Sequence, residues 1–110
     1  MADIAGKWRI VETAIWDRQY LDLCGPAFIS IDAQGRGEMA FGAVQASFKC
    51  GFTRSGIDFD WHGADEGDEA SGDAWAELQN DGCLEGEILF QNGDETTFTA
   101  VPWETFSAAC

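Results

Sequence analysis

The sequence predicts an all-β fold: an antiparallel up-and-down meander of about eight strands closed into a barrel, with a two-sheet sandwich as the alternative. Three observations predict it. Apolar and polar residues alternate with a period of two along several stretches, which puts one side of each in a core and the other in water. Turn-forming residues fall between those stretches. Eight Phe and five Trp supply large strand-favouring side chains, and thirteen Gly against two Pro suit tight turns.

The first strand is expected near residues 7–15. The connection from Trp16 to Pro26 has room for one helical turn, capped by Asp17 and ended by Gly25-Pro26, and it is placed to plug one barrel end. Strands near 27–32 and 36–42 flank the turn Asp32-Ala33-Gln34-Gly35. The clearest alternation, Val44-Gln45-Ala46-Ser47-Phe48-Lys49-Cys50-Gly51-Phe52, predicts a strand near 44–53. After Arg54-Ser55-Gly56, the run Ile57-Asp58-Phe59-Asp60-Trp61-His62 predicts one near 56–62. Gly63 to Ser71 reads as an acidic loop. Strands near 72–79, 83–90 and 95–101 follow, separated by Asn80-Asp81-Gly82 and Asn92-Gly93-Asp94, which supply the positive φ angles that hairpins need. Closing such a meander pairs the two edges it would otherwise expose. Residues 107–110 read as a frayed tail, and the 110 residues as a single domain spanning 1–110.

Charge is distributed in halves. Every Lys and Arg lies at or before Arg54, where six bases offset six acids; from Ser55 onward there are fourteen Asp and Glu and no base. The net charge of −14 therefore belongs to the second half. That field argues against direct contact with nucleic acid or anionic membranes, whose phosphates it repels. The four cysteines, Cys24, Cys50, Cys83 and Cys110, allow three pairings if oxidised. They form no C-x-x-C pair of the kind that binds zinc. The first eight residues do not read as a secretory leader, and no run reaches membrane-spanning length. The expectation is a cytoplasmic protein with reduced thiols.

Gly6-Lys7-Trp8 resembles the G-x-W signature of calycins, the lipocalin and avidin-like barrels, and the resemblance implies a Trp closing one barrel end. A second set of blocks is similar to a family of small bacterial proteins of unknown function. They are Trp16-Asp17-x-x-Tyr20-x-Asp22-Leu23-x-Gly25-Pro26-Ala27, Phe41-Gly42-Ala43-Val44, Trp61-x-Gly63-x-Asp65-Glu66-x-Asp68 and Gly72-x-x-Trp75-Ala76-x-Leu78. This resemblance implies a bacterial, whole-chain domain and brings no activity with it.

Two groups of residues are candidates for function. Asp58, Asp60 and His62 alternate on one strand face and are followed by Asp65, Glu66, Asp68 and Glu69. Their oxygens suit either a basic partner or a hard cation, but their spacing is not that of an EF-hand. Trp16, Tyr20, Trp61 and Trp75, with Glu77, are candidates for a ligand pocket, against the simpler reading that large rings fill the barrel. Glu77 and Trp75 share a strand face opposite Ala74, Ala76 and Leu78, so one of these faces breaks the in/out rule. No nucleophile elbow, metalloprotease helix or phosphate loop is present, and no cofactor is implied. His62 is a candidate base with no nucleophile assigned to it. The leading expectation is a non-catalytic binding module whose acidic face meets a basic protein. A barrel holding a small apolar ligand is the alternative, and an enzyme comes third.

Overall fold

The computed structural model describes residues 4–23 and 25–103, with the backbone alone at Arg18. Among these residues the chain forms β1 (Gly6–Thr13), α1 (Arg18–Leu21), β2 (Phe28–Ile31), β3 (Arg36–Phe41), β4 (Val44–Phe52), β5 (Gly56–Asp65), β6 (Asp68–Leu78), β7 (Leu84–Phe90) and β8 (Glu95–Pro102). Each strand pairs antiparallel with the next, and β1 pairs with β8, so the meander closes into a barrel rather than a sandwich. β1 accommodates closure with a bulge between Ile10 and Glu12, a common way of bending a strand at a barrel seam.

Alternation decides which side chains go inside. Along β4, Val44, Ala46, Phe48 and Cys50 are buried while Gln45, Ser47 and Lys49 are exposed. The interior is the protein's own: Trp8, Ile10, Ile29, Met39, Phe41, Ile57, Phe59, Trp61, Leu84, Ile88 and Phe98 form one continuous core. Phe48 stacks on Phe59 with ring centroids 4.0 Å apart. Each aliphatic or Phe side chain so buried contributes roughly 1.5–3 kcal/mol. Small residues make room for the large ones. Ala74 and Ala76 face inward on β6, and Gly72 lies opposite Trp61 on one side and Phe90 on the other. A Cβ on Gly72 would lie 1.8 Å from the Leu89 carbonyl oxygen, so only glycine permits this approach of β6 to β7.

The stretch 63–71 corrects the sequence reading of an acidic loop. β5 and β6 run on as a hairpin in which Asp65 faces Asp68 across the two-residue turn Glu66-Gly67. Both turn residues have positive φ, 55° and 86°, the geometry whose twist matches paired strands. Density of charge suggested a loop, but outward or rim positions of a hairpin hold carboxylates in water equally well.

The connection after β1 covers one barrel end. Asp17 Oδ1 accepts from the Tyr20 amide at 2.8 Å and caps α1. Leu21 is buried, its carbonyl accepting from the Gly42 amide at 2.8 Å. Trp16 stacks on Tyr20, and Trp16 also meets Phe41 and Phe90, whose ring in turn meets Trp61 edge to face. At the start of β1, buried Trp8 donates its indole N–H to the Ile4 carbonyl at 2.9 Å. Between β1 and the plug lies a part-buried ion pair: buried Arg9 contacts half-buried Asp22 and donates to the Ala27 carbonyl at 3.1 Å. Asp22 also accepts from the Ala27 amide at 3.1 Å. Cys50 and Cys83 are free thiols; Cys24, Cys110 and the tail at 107–110 lie outside the described residues. No helix among the described residues is long and apolar enough to cross a membrane.

Replacing Gly72 with Ala is expected to cost about 2 kcal/mol or more, because backbone must move to clear the new methyl; the midpoint of urea unfolding measures it. Asp22→Ala is expected to cost about 2–4 kcal/mol, since it strands the Arg9 guanidinium in a buried site; the same unfolding curve checks it, and an unchanged midpoint contradicts the role assigned to the pair.

Candidate functional site

Because successive strands of a meander are neighbours, the acidic second half of the sequence becomes one side of the barrel. The outward positions of β5 carry Asp58, Asp60 and His62, and those of β6 carry Glu69, Asp73, Trp75 and Glu77. Glu85 and Glu87 follow on β7, and Glu95 on β8. The described strand bases lie on the first four strands: Lys7 and Arg9 on β1, Arg36 on β3 and Lys49 on β4, where Lys49 stands opposite Asp60 at the edge of the acidic side. Lys7 is engaged there, its Nζ 4.1 Å from the centre of the Trp103 ring and 4.8 Å from that of Phe28.

Register brings like charges together. Asp60 is opposite Asp73, Glu77 is opposite Glu85, and Trp75 sits between Asp58 and Glu87. Neighbours on such a face are roughly 5 Å apart across strands and 7 Å along them, inside the screening length of about 8 Å at physiological salt. The carboxylates therefore act as one field. Lys49 is the cross-strand neighbour of Asp60, but among the described residues no Lys or Arg forms a salt bridge with any of these carboxylates; the salt bridge present is that of Arg9 and Asp22. A side-chain hydrogen bond with Asp60, and then the Asp60 charge, raise the Asp73 carboxyl above its ordinary pKa.

The sequence-predicted residues separate into distinct places. Asp58, Asp60, His62 and Glu69 face outward on the wall. Asp65, Glu66 and Asp68 lie at the hairpin end, where with Tyr20, Phe90 and Gln91 they border a depression of about 740 Å³. Among the described residues no group of three or more His, Cys, Asp or Glu is arranged to hold a metal ion. Trp16 and Tyr20 belong to the plug, and Trp61 to the core at 1% exposure. Trp75 and Glu77 face out from the opposite side of the sheet, so the five pocket candidates do not converge. Trp75 is 40% exposed while Ala74 and Ala76 are buried. It is therefore the Trp75 face that departs from the in/out rule.

His62 lies across from Ser47 and Ser71, but among the described residues no hydrogen bond joins its side chain to either. Ser71 Oγ instead donates to the Gln91 side chain. A nucleophile and base in register are thus not coupled as acyl-transfer chemistry requires. Sequence reasoning did not single out Asp73, Glu85 and Glu87. Their outward phase was readable from alternation, but their partners depend on register. Comparison with protein-family models, curated proteins and solved structures found no match to the chain.

The raised Asp73 pKa fixes a sign. The folded state holds this proton more tightly than the unfolded chain, so the linkage favours folding fully below the unfolded pKa, about pH 4, and is lost as pH rises through the folded value. Asp73→Asn is accordingly expected to melt above the parent at pH 7, with the gap shrinking toward zero below about pH 4. Thermal unfolding across that range measures it, and a gap that does not vary with pH contradicts the Asp60–Asp73 repulsion.

Proposed function

We propose that this protein is a non-catalytic interaction module whose acidic wall meets a basic protein. The observation that carries the reading is the wall itself: Asp58, Asp60, Asp73, Glu77, Glu85 and Glu87 share one outer surface, two pairs of them directly opposed, with Lys49 opposite Asp60 at the wall's β4 edge and no salt bridge to any of the six among the described residues. Opposed like charges oppose folding, and a positively charged partner relieves that repulsion on binding. The same field speeds encounter with such a partner and repels polyanions.

The free thiols of Cys50 and Cys83 support placing the protein in a reducing compartment, which for the proposed bacterial source is the cytoplasm. The position of buried Trp8 near the start of β1 supports the calycin resemblance, and that kinship is part of the proposal. An apolar ligand held in the barrel mouth has less support, because the interior residues around Trp61 and Phe59 are already in contact with one another.

The test is binding of a labelled octa-lysine peptide, followed by fluorescence anisotropy, from low to physiological salt. Affinity is expected to fall roughly tenfold or more between about 20 and 200 mM NaCl. Binding that is absent at low salt, or that does not vary with salt, overturns the proposal.

A further inference from the structure

Trp75 is one of four exposed large hydrophobic residues among those described, with Ile15, Leu23 and Phe52, and it stands amid outward carboxylates. A large ring on an outward strand position costs apolar exposure, and here it stands at the centre of the acidic wall. Its indole N–H donates to Glu87 Oε1 at 3.2 Å, which orients the ring against β7. Asp58 stands opposite it on β5. Beside Asp58 the outward position of β4 is Gly51, and the missing side chain leaves a hollow of about 310 Å³ lined by Asp58, Asp60, Asp73 and Lys49, three carboxylates against one ammonium.

We propose that Trp75 and the hollow on the far side of Asp58, walled by Asp58, Asp60 and Asp73 with Lys49 on its β4 side, form the docking site for an arginine side chain of an extended basic segment in a partner protein. The inference rests on the acidic-wall reading and names where and how that wall engages. A guanidinium is planar and weakly hydrated. It stacks on an indole face through cation–π attraction and donates in pairs to flanking carboxylates, which an ammonium does less well. The sheet face also has the right repeat. Outward carboxylates recur every second residue along β5, roughly 7 Å apart, and alternate side chains of an extended peptide recur at the same interval. The raised Asp73 pKa fits the same picture: a hydrogen bond with Asp60, and then the Asp60 charge, hold its proton in the free protein.

The experiment compares labelled octa-arginine with octa-lysine on the full chain by fluorescence anisotropy at low salt. The parent is expected to prefer octa-arginine. Trp75→Thr, an outward position given a good strand former, is expected to lower octa-arginine affinity roughly fivefold or more and octa-lysine affinity less, leaving the salt dependence in place. The pair Asp58→Asn with Asp60→Asn is expected to weaken both peptides and flatten the salt dependence. In the parent, the Trp75 indole N–H resonance is expected to shift on saturation with octa-arginine, a readout that needs no variant. If salt-sensitive binding persists but Trp75→Thr leaves the arginine preference intact, or the Trp75 resonance does not move, the docking site is wrong and the acidic-wall reading survives. If neither peptide binds in a salt-sensitive way, both fall together.

Discussion

Pairing of β1 with β8 is the constraint on which the rest depends. In a closed meander every strand has its sequence neighbours as spatial neighbours, so position along the chain becomes position around the barrel. A composition gradient along the sequence, which a Greek key or a crossover topology would shuffle, is converted here into a difference between two sides of one molecule. The seam also fixes phase. Once the first and last strands are in register, inward and outward positions are set for all of them.

The two surfaces created by that phase carry opposite burdens. The inner one gathers Trp8, Phe48, Phe59, Trp61 and their neighbours into one buried core, and its curvature relies on small residues such as Gly72 opposite the largest rings. The outer one accepts electrostatic repulsion between Asp60 and Asp73 and between Glu77 and Glu85. Solvent and salt weaken that repulsion, whereas salt screening does not reduce apolar burial in the core, so the fold tolerates a surface poorly optimised for its own stability. Such local conflict is where function is to be sought. The Arg9–Asp22 pair is of another kind: its Arg9 end is buried, it fastens the plug to β1, and its two partners lie in the half of the chain where charges balance.

Strands were readable because alternation over five to nine residues leaves one consistent phase. The strand Val44–Phe52 ends one residue short of the expected 44–53, and Gly56–Asp65 runs three residues past the expected 56–62. The turn at Glu66-Gly67 was not readable. A non-glycine residue with φ of 55° is uncommon, and the acids around it imitate a solvated loop. The wall was legible as a tendency and not as a set of contacts. Alternation points Asp58, Asp60, Glu85 and Glu87 outward, but that Asp73 faces Asp60, or that Trp75 lies between Asp58 and Glu87, follows from hairpin register. The Arg9–Asp22 contact spans a connection that carries no periodic signal, so nothing in the sequence marked it.

The central claim is that charge on this molecule is one-sided. Paramagnetic relaxation of backbone amides by a small cationic nitroxide, set against a neutral one, measures local potential residue by residue. The account predicts that the cationic probe concentrates over the outward amides of β5, β6 and β7 and is no more abundant than the neutral probe over β2 and β3. Equal enhancement around the whole circumference of the barrel would contradict it.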